Sequence, residues 1–594
     1  MSYSTPSMAD RVALMKIVCL VKQVPAIGAI EFDEETKTLK REGVPLELNV
    51  FDRYAVQHAA ALGDEVVAMT MGPPQAEDAL RECLALGADR AIHLSDRVFA
   101  VADTLGTSRT LALAVRKEGA DLVLCGRKTT DSETWQVPPE VAAFLGWPHL
   151  TSVVGLEPGL RVTREADDTE EIYEVQPPTV LSVAAPPDGE PRAKDGPIEV
   201  WQASDLADDL RPNDKRFGQT GSPTRVLAVR DSRPERKRLR AESAEEAARL
   251  VADLLAERAP APPSWEKPGH IAERPAASYD SWSVVELIDG RPRRISLELL
   301  ARGRELAGKM GGKNVALVIG HALADAIAEL GRHGAEIVYA VDDPALAGYH
   351  PELWTRVVKR VLAEHLPRVC LIPATPQGRD FGPRAAGELE LGMTGDCVGV
   401  DIIKAGRLLQ QKPAFGGNIV SVIMGATTPQ LATVRPRMYE PLKPRDDAQA
   451  EVRTLAPGDL TAPRLRLADR RTSDRGAALD EADVVVCAGP GIDLAALEKA
   501  AAAAGAAVGG SQGASVSRGR QIGLLGRPVA PRLYVAVGVE DDPEHWAGSV
   551  KAGVIVSIGD SAPEAADISL DADWQEVLPN LLDLAPRHPD TELL

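Results

Sequence analysis

Apolar runs closed by Gly, Pro or polar residues alternate along this chain with segments of helical period, and they do so in three separate stretches. In the first, MKIVCLVKQVP (15–25), EVVAMTMGPP (65–74), DRAIHLSD (89–96) and ADLVLCGRK (120–128) are separated by helical patterns such as QAEDALRECLALGA and TLGTSRTLALAVRKEG. Strands this apolar are buried on both faces, which requires a parallel sheet covered by helices on each side. The second stretch repeats the scheme with NVALVIGH (314–321), AEIVYAVDD (335–343) and RVCLIPATPQGRD (368–380). The third has ADVVVCAGPGI (482–492), the alanine-rich helix DLAALEKAAAAAGA, LYVAV (533–537) and AGVIVSIGDS (552–561). The predicted fold class is α/β, with three doubly wound parallel-sheet units. In such sheets ligands bind beyond the carboxyl ends of the strands.

At 594 residues the chain exceeds one hydrophobic core. The expected division is a tail at 1–14, a nucleotide-binding unit at 15–226, a linker at 227–280, a second unit at 281–445, a linker at 446–479 and a third unit at 480–594. The first linker combines a charged helical stretch, ERKRLRAESAEEAARLVADLLAER, with the proline-rich APAPPSWEKPGH. The second has many charges and no apolar period.

Charge narrows the function classes. A formal net charge of −20 repels a nucleic-acid backbone and an anionic membrane surface alike. No run approaches the ~18 apolar residues of a membrane-spanning helix, and residues 1–14 lack a signal peptide's apolar centre. The expectation is a cytoplasmic protein that is not membrane-embedded. Six cysteines, at 19, 83, 125, 370, 397 and 487, form no C-x-x-C or Cys/His cluster, so no metal site is expected.

The stretch CGRKTTDSETWQVPPEVAAFLG (125–146) leaves a strand and enters a helix. Gly126 allows a sharp turn, and Thr129, Thr130, Asp131, Thr134 and Gln136 offer polar groups and backbone N–H groups to phosphate oxygens. It reads either as a nucleotide cradle or as an ordinary capped helix. Three loops, LNVFDRYAVQHAA (48–60), TMGPPQ (70–75) and ADTLGTSRTLA (102–112), point to the same sheet end. In the second unit Arg379 and Arg384 lie near Asp380 and Asp396, a grouping that serves an interface, an anionic ligand or structural ion pairs.

Here a family resemblance emerges. MKIVCLVKQVP, MGPPQAEDALRECLALGADRAIHL, GRKTTDSETWQV and GWPHLTSV resemble the β subunit of electron transfer flavoproteins. SLELLARGRELA, ATPQGRDFGPRAAGEL, GDCVGVDI, KPAFGGNI, TVRP and the terminal AGPG, GAAVGGSQ, LYVAVG and HWAG segments resemble the α subunit. The chain thus looks like a fusion, β half first, with adenine-nucleotide-hydrolase-like and flavodoxin-like units. The resemblance implies an electron carrier between flavin dehydrogenases and an acceptor flavoenzyme or membrane quinone oxidoreductase. One chain replaces the usual αβ heterodimer. It also implies FAD in the C-terminal unit, and AMP or a second FAD in the β-like half at Asn49, Phe51, Asp52, Met71, Gly126, Asp131, Thr134, Gln136 and Val137. ADTLGTS and GSPTRV (221–226) resemble features of the branch that splits electron pairs.

The C-terminal unit departs from the pattern. Pro490 stands for the arginine of Gly-Arg-Gly, Gln512 for the arginine expected on the flavin, Leu525 for the threonine facing N5, and Gly559 for an asparagine. Ser511, Gly523, His545 (expected near the flavin O2 edge) and Asp573 are retained. The neutral loop of the family is replaced by Glu540-Asp541-Asp542-Pro543-Glu544. At ~4 to 6 Å and an effective dielectric near 20, each carboxylate facing a pyrophosphate costs about 3 to 4 kcal/mol before screening, and Pro543 removes a donor. Two readings follow: a weakened or lost FAD site, or an altered flavin pose. The stretch APPDGEPRAKDGPIEVW (185–201) lacks the leucine-bearing loop by which family members dock acyl-CoA dehydrogenases. Besides the electron carrier, the sequence leaves open a nucleotide-binding regulatory module that lost its redox flavin, and an NADH-oxidising, electron-splitting component.

Overall fold

The computed structural model describes residues 15–26, 31–33, 38–40, 43–166, 169–189, 192–232, 234–273, 278–472, 479–502 and 504–583. The expected tail at 1–14 and parts of both expected linkers lie outside the described residues.

The predicted apolar runs of the first unit form the parallel strands Lys16–Leu20, Glu65–Met71, Arg90–Leu94 and Leu122–Gly126. Their two faces are covered by separate apolar clusters, one centred on Ile17, Cys19 and Leu124, the other on Val18, Leu20 and Val123. Seven strands of a ten-stranded sheet run parallel in the order Ile198–Trp201, Arg90–Leu94, Glu65–Met71, Lys16–Leu20, Leu122–Gly126, Thr179–Val183 and His149–Glu157, and Arg161–Glu165, Thr169–Glu174 and Arg466–Thr472 continue it antiparallel. The first strand lies inside the sheet: Glu65–Met71 and Arg90–Leu94, with the late strand Ile198–Trp201 beyond them, are added on one side of it, and Leu122–Gly126, Thr179–Val183 and His149–Glu157 on the other. A crevice therefore opens between the carboxyl ends of Lys16–Leu20 and Leu122–Gly126.

The second unit is a seven-stranded parallel sheet in the order Met393–Cys397, Gln430–Val434, Val369–Pro373, Ser281–Val285, Asn314–Gly320, Ile337–Asp342 and Glu451–Thr454. In the third unit Ala507–Gly510, Val484–Ala488, Leu533–Val537, Val554–Ile558 and Ile568–Leu570 run parallel in the flavodoxin-like order 2-1-3-4-5. All six cysteines are buried and free. Among the described residues no helix is long and apolar enough to cross a membrane, and no group of metal-ligating side chains is assembled.

Both expected linkers contain structure that joins the units. Thr224–Asp231 pairs antiparallel with Ile419–Gly425 of the second unit. Leu239–Arg240 adds a parallel edge strand beside Ile568–Leu570. The charged stretch folds as helix Ala244–Glu257, whose Ala247, Val251, Leu254 and Leu255 enter the third unit's core. These positions fall on one helical face beneath the charge. In the second linker, Glu451–Thr454 pairs with Ile337–Asp342, and Arg466–Thr472 extends the first unit's sheet beside Thr169–Glu174. Edge strands of this kind need no apolar period, because main-chain hydrogen bonds hold them.

Candidate functional site

Asp52 closes the first unit's crevice from below. In the first turn of helix Val50–Leu62, its carboxylate accepts the backbone N–H of Lys22 on Oδ2 and of Gly126 on Oδ1, both at 2.9 Å. One side chain thus ties together the two strand ends at which the sheet reverses its order. Burial pushes its carboxyl up to about 7, against the pull of those two N–H donors. Asn49, immediately before the helix and fully buried, donates Nδ2–H to the Lys128 carbonyl at 3.0 Å and accepts the Thr130 N–H at 3.2 Å. A Cβ on Gly126 would lie 2.5 Å from Asp52 Oδ1 and 2.7 Å from Phe51 Cβ, so only glycine fits. Asn49 and Asp52, expected to touch the nucleotide, have their polar atoms engaged in shaping the loop that would.

That loop presents donors and acceptors to the crevice. Lys22 Nζ pairs with Asp131 Oδ2 at 2.6 Å, while Asp131 Oδ1 and Thr130 Oγ1 are buried without a hydrogen-bond partner. Such orphaned atoms are costly unless a ligand or water meets them, and an acceptor beside a hydroxyl suits the ribose and phosphate of a nucleotide. Gln136 lies elsewhere: Nε2 donates to the Met393 carbonyl at 3.0 Å and Oε1 accepts the Gly395 N–H at 3.1 Å, joining the first unit to the second. The Thr134 carbonyl packs against Gly395. Met71 and Val137 are partly buried against the first unit's core.

Sequence reasoning missed several charged residues here. Glu140 is buried beside Ser108 Oγ at 2.9 Å and Gln136 Nε2 at 3.1 Å, and burial, reinforced by Asp103, pushes its carboxyl up to about 8. Glu133 pairs with Lys128 at 3.0 Å and with Arg435 of the second unit at 3.4 Å. The Arg/Asp group of the second unit resolves into ion pairs. Arg379 grips Asp396 through Nε and Nη2, both at 2.8 Å, and Arg435 joins the same carboxylate at 3.1 Å. Asp380 accepts from His149 at 3.1 Å and Arg164 at 2.9 Å, both in the first unit. Arg384 pairs with Glu388 at 3.3 Å.

In the third unit the retained residues are largely engaged within the protein. His545 is buried, with Nε2 at 2.9 Å from Tyr534 Oη and Nδ1 at 3.2 Å from the Ile522 carbonyl, and burial holds its pKa down to about 4. Both ring nitrogens of this residue, expected near the flavin O2 edge, are engaged within the unit. Asp573 is exposed and accepts the Gln575 N–H at the start of helix Trp574–Asp583. Ser511 Oγ makes one long bond, 3.5 Å, to the Gln512 carbonyl. Gly523 packs against Gly548 and the Glu544 carbonyl. Asp542 caps helix Pro543–Ser549 by accepting the Glu544 N–H at 3.0 Å, and Glu540 and Asp541 are exposed. At the strand ends, Gly489 and Gly538 press together so closely that a Cβ on Gly489 would overlap the Gly538 carbonyl.

A cleft opens where the three units meet. Arg127 crosses it from the first unit, donating Nη2–H to the Leu525 carbonyl of the third at 2.7 Å, with its guanidinium 4.7 Å from the Phe51 ring and 5.2 Å from the Trp135 ring. Arg379 lies 4.4 Å from the same indole.

A crevice at a sheet's switch point, a flavodoxin-like unit and a cleft between them make an assembly of the doubly wound α/β class. The family model "Electron transfer flavoprotein domain" matches residues 36–206 and 281–460, and "Electron transfer flavoprotein FAD-binding domain" matches residues 478–550. The chain belongs to the electron transfer flavoprotein family, with β-like and α-like halves fused in that order. The α-like half is 34% identical over 322 residues to the electron transfer flavoprotein subunit alpha of Thermoanaerobacterium thermosaccharolyticum, covering 51% of this chain and 97% of the relative. The β-like half is 40% identical over 235 residues to subunit beta of the same organism, covering 37% and 90%. It is also 40% identical over 231 residues to the caffeyl-CoA reductase-Etf complex subunit CarD of Acetobacterium woodii, covering 36% and 86%. Electron transfer with FAD as cofactor is the family's function, and this chain shares it.

Proposed function

We propose that this chain is a self-contained cytoplasmic electron carrier that takes electrons from a flavin dehydrogenase and delivers them to an acceptor flavoenzyme or quinone oxidoreductase. FAD lies in the cleft between the units, and AMP or a second FAD lies in the first unit's crevice. The observation that carries the reading is the strand-end loop itself, where Asp52 ties the two strand ends and Thr130 Oγ1 and Asp131 Oδ1 are left buried without a hydrogen-bond partner. The protein's residues would hold the adenosine portion and orient it. FAD, when bound, supplies the redox chemistry. The test is the flavin-to-protein ratio and the nucleotide released on denaturing gently purified protein. Bound FAD with or without AMP is the expected result, whereas colourless protein that releases no nucleotide and takes up no FAD overturns the proposal.

A second reading, splitting of electron pairs, draws on one contact. The ADTLGTS and GSPTRV motifs meet: Asp103 accepts the Thr224 N–H and hydroxyl at 2.8 and 2.7 Å, and the Asp103 N–H donates to Ser222 Oγ at 2.8 Å. Anaerobic NADH bleaching of bound flavin is the expected outcome for this reading, and flavin unmoved by NADH excludes it.

A further inference from the structure

The carboxyl edge of the third unit's sheet, where a flavodoxin-like order places its ligand, is acidic. The loops following its strands expose Asp493, Glu540, Asp541, Asp560, Asp571 and Asp573. Three helices start there, and a carboxylate already caps each: Asp493 accepts the Ala496 N–H before Leu494–Ala502, Asp542 the Glu544 N–H before Pro543–Ser549, where Pro543 itself offers no N–H, and Asp573 the Gln575 N–H before Trp574–Asp583. Gly489 and Gly538 close the space between the two strand ends. Apart from Arg518, exposed in the loop after Ala507–Gly510, the charged groups exposed in the described loops at this edge are carboxylates that repel a doubly anionic pyrophosphate.

The cleft between the units has the opposite charge. Among the described residues, Arg127, Arg379, Arg435, Arg518, Arg527 and Lys551 line it, against two carboxylates, Glu165 and Asp480. Arg379 and Arg435 are held by Asp396, and Arg527 pairs with Asp480 at 2.9 Å. Among the described residues, neither Arg127 nor Arg518 forms an ion pair. Burial brings the Arg127 pKa down to about 10; Glu165 opposes the shift, and the guanidinium groups of Arg379, Arg527 and Arg518 add to it. Arg127 Nε has no hydrogen-bond partner. Neither does the indole N–H of Trp135, which is 8% exposed and lines the same cleft. Two unpartnered donors in a cleft whose charged lining is mostly cationic are a built anion site.

We infer that the pyrophosphate of FAD is held inside this cleft by Arg127 and Arg518, with the Trp135 indole N–H as a further donor, and not at the carboxyl edge of the C-terminal sheet. This rests on the reading of FAD as the cleft's cofactor and names the side chains that bind its charged centre. Arg127 belongs to the β-like half, so the cofactor of the α-like half is completed by the other half. Covalent fusion keeps the two in register.

The test is titration of flavin-free protein with FAD and, separately, with riboflavin, which has the ring system but no phosphate. Arg518 is exposed, so Arg518→Gln leaves the core intact, and it should weaken FAD binding about tenfold or more while leaving riboflavin affinity unchanged, the loss of one charge-assisted contact. Arg127→Gln should do the same and Trp135→Phe should act in the same direction, while Glu540→Gln with Asp541→Asn should change FAD affinity less than about twofold. Stronger FAD binding in the Glu540/Asp541 variant, with the arginine variants unchanged, overturns the inference while leaving FAD as the cofactor. Wild-type protein that binds neither FAD nor riboflavin overturns both.

Discussion

Arg258 grips Asp567 with both terminal nitrogens, Nη1 to Oδ2 and Nη2 to Oδ1 at 2.9 Å each, and Arg236 adds a third contact at 2.8 Å. Asp567 is fully buried just before the strand Ile568–Leu570, and the two arginines flank the helix Ala244–Glu257. The segment between the halves is therefore fastened into the C-terminal unit.

Asp567→Asn should destabilise the third unit by about 3 to 5 kcal/mol, because two guanidinium groups lose their counter-charge in a buried setting. Urea unfolding followed through Trp546 and Trp574 reports this unit. The same pair predicts acid sensitivity. Burial raises the Asp567 pKa, but Arg258 and Arg236 outweigh it and hold the carboxyl below its usual range. Its contribution is present above the unfolded value near ~4 and is lost as the pH falls through the folded value.

Gly126→Ala should empty the first unit's crevice. A methyl group 2.5 Å from Asp52 Oδ1 must displace the carboxylate that ties Lys22 to Gly126. Loss of co-purified adenine nucleotide is expected, with a stability cost on the order of 1 to 3 kcal/mol. Retention of wild-type nucleotide content would show that the clamp does not shape the site.

His545 makes the C-terminal unit labile between neutral and acidic pH. It stays neutral in the fold down to about 4, whereas an unfolded histidine takes a proton near ~6.5. The unfolded state therefore binds more protons between these values, and stability falls by up to about 3 kcal/mol as the pH drops through that window. His545→Gln should flatten the slope of the urea midpoint between pH 6.5 and 4, whatever it does to the absolute value.

Asp396→Asn tests the joint between the first two units. Asp396 is fully buried and serves Arg379 and Arg435, and Arg435 also reaches Glu133 across the interface. Neutralising it leaves two buried cations short of a counter-ion, with an expected cost of about 3 to 5 kcal/mol. Thermal unfolding should show the first two units melting earlier, and an unchanged profile would mean the network carries no net stability.

The strands that build the three sheets were legible because each carries its own evidence: Val484–Ala488 and Leu533–Val537 are apolar on both faces and end in glycine. The crevice was legible as a stretch, since Gly126, Thr130 and Asp131 follow one such strand. Roles within it were not. Gln136 looked like a phosphate donor but joins two units, and His545 looked like a flavin partner but is closed off by Tyr534 and Ile522. A side chain's type is local, whereas its partner depends on what the fold brings near.

Local order was thus written in the residues themselves: apolar period selects buried strands and amphipathic helices, and turn residues end them. What lies beside what was left to the tertiary structure. Thr224–Asp231, Glu451–Thr454 and Arg466–Thr472 join their sheets through main-chain hydrogen bonds, which are nearly indifferent to side chains. Arg127 and the Leu525 carbonyl are 398 positions apart and meet only because three sheets dock around one cleft. Long-range Coulomb and hydrogen-bond partners leave no periodic trace in a sequence, so only the assembled fold could set the sign and shape of that cleft.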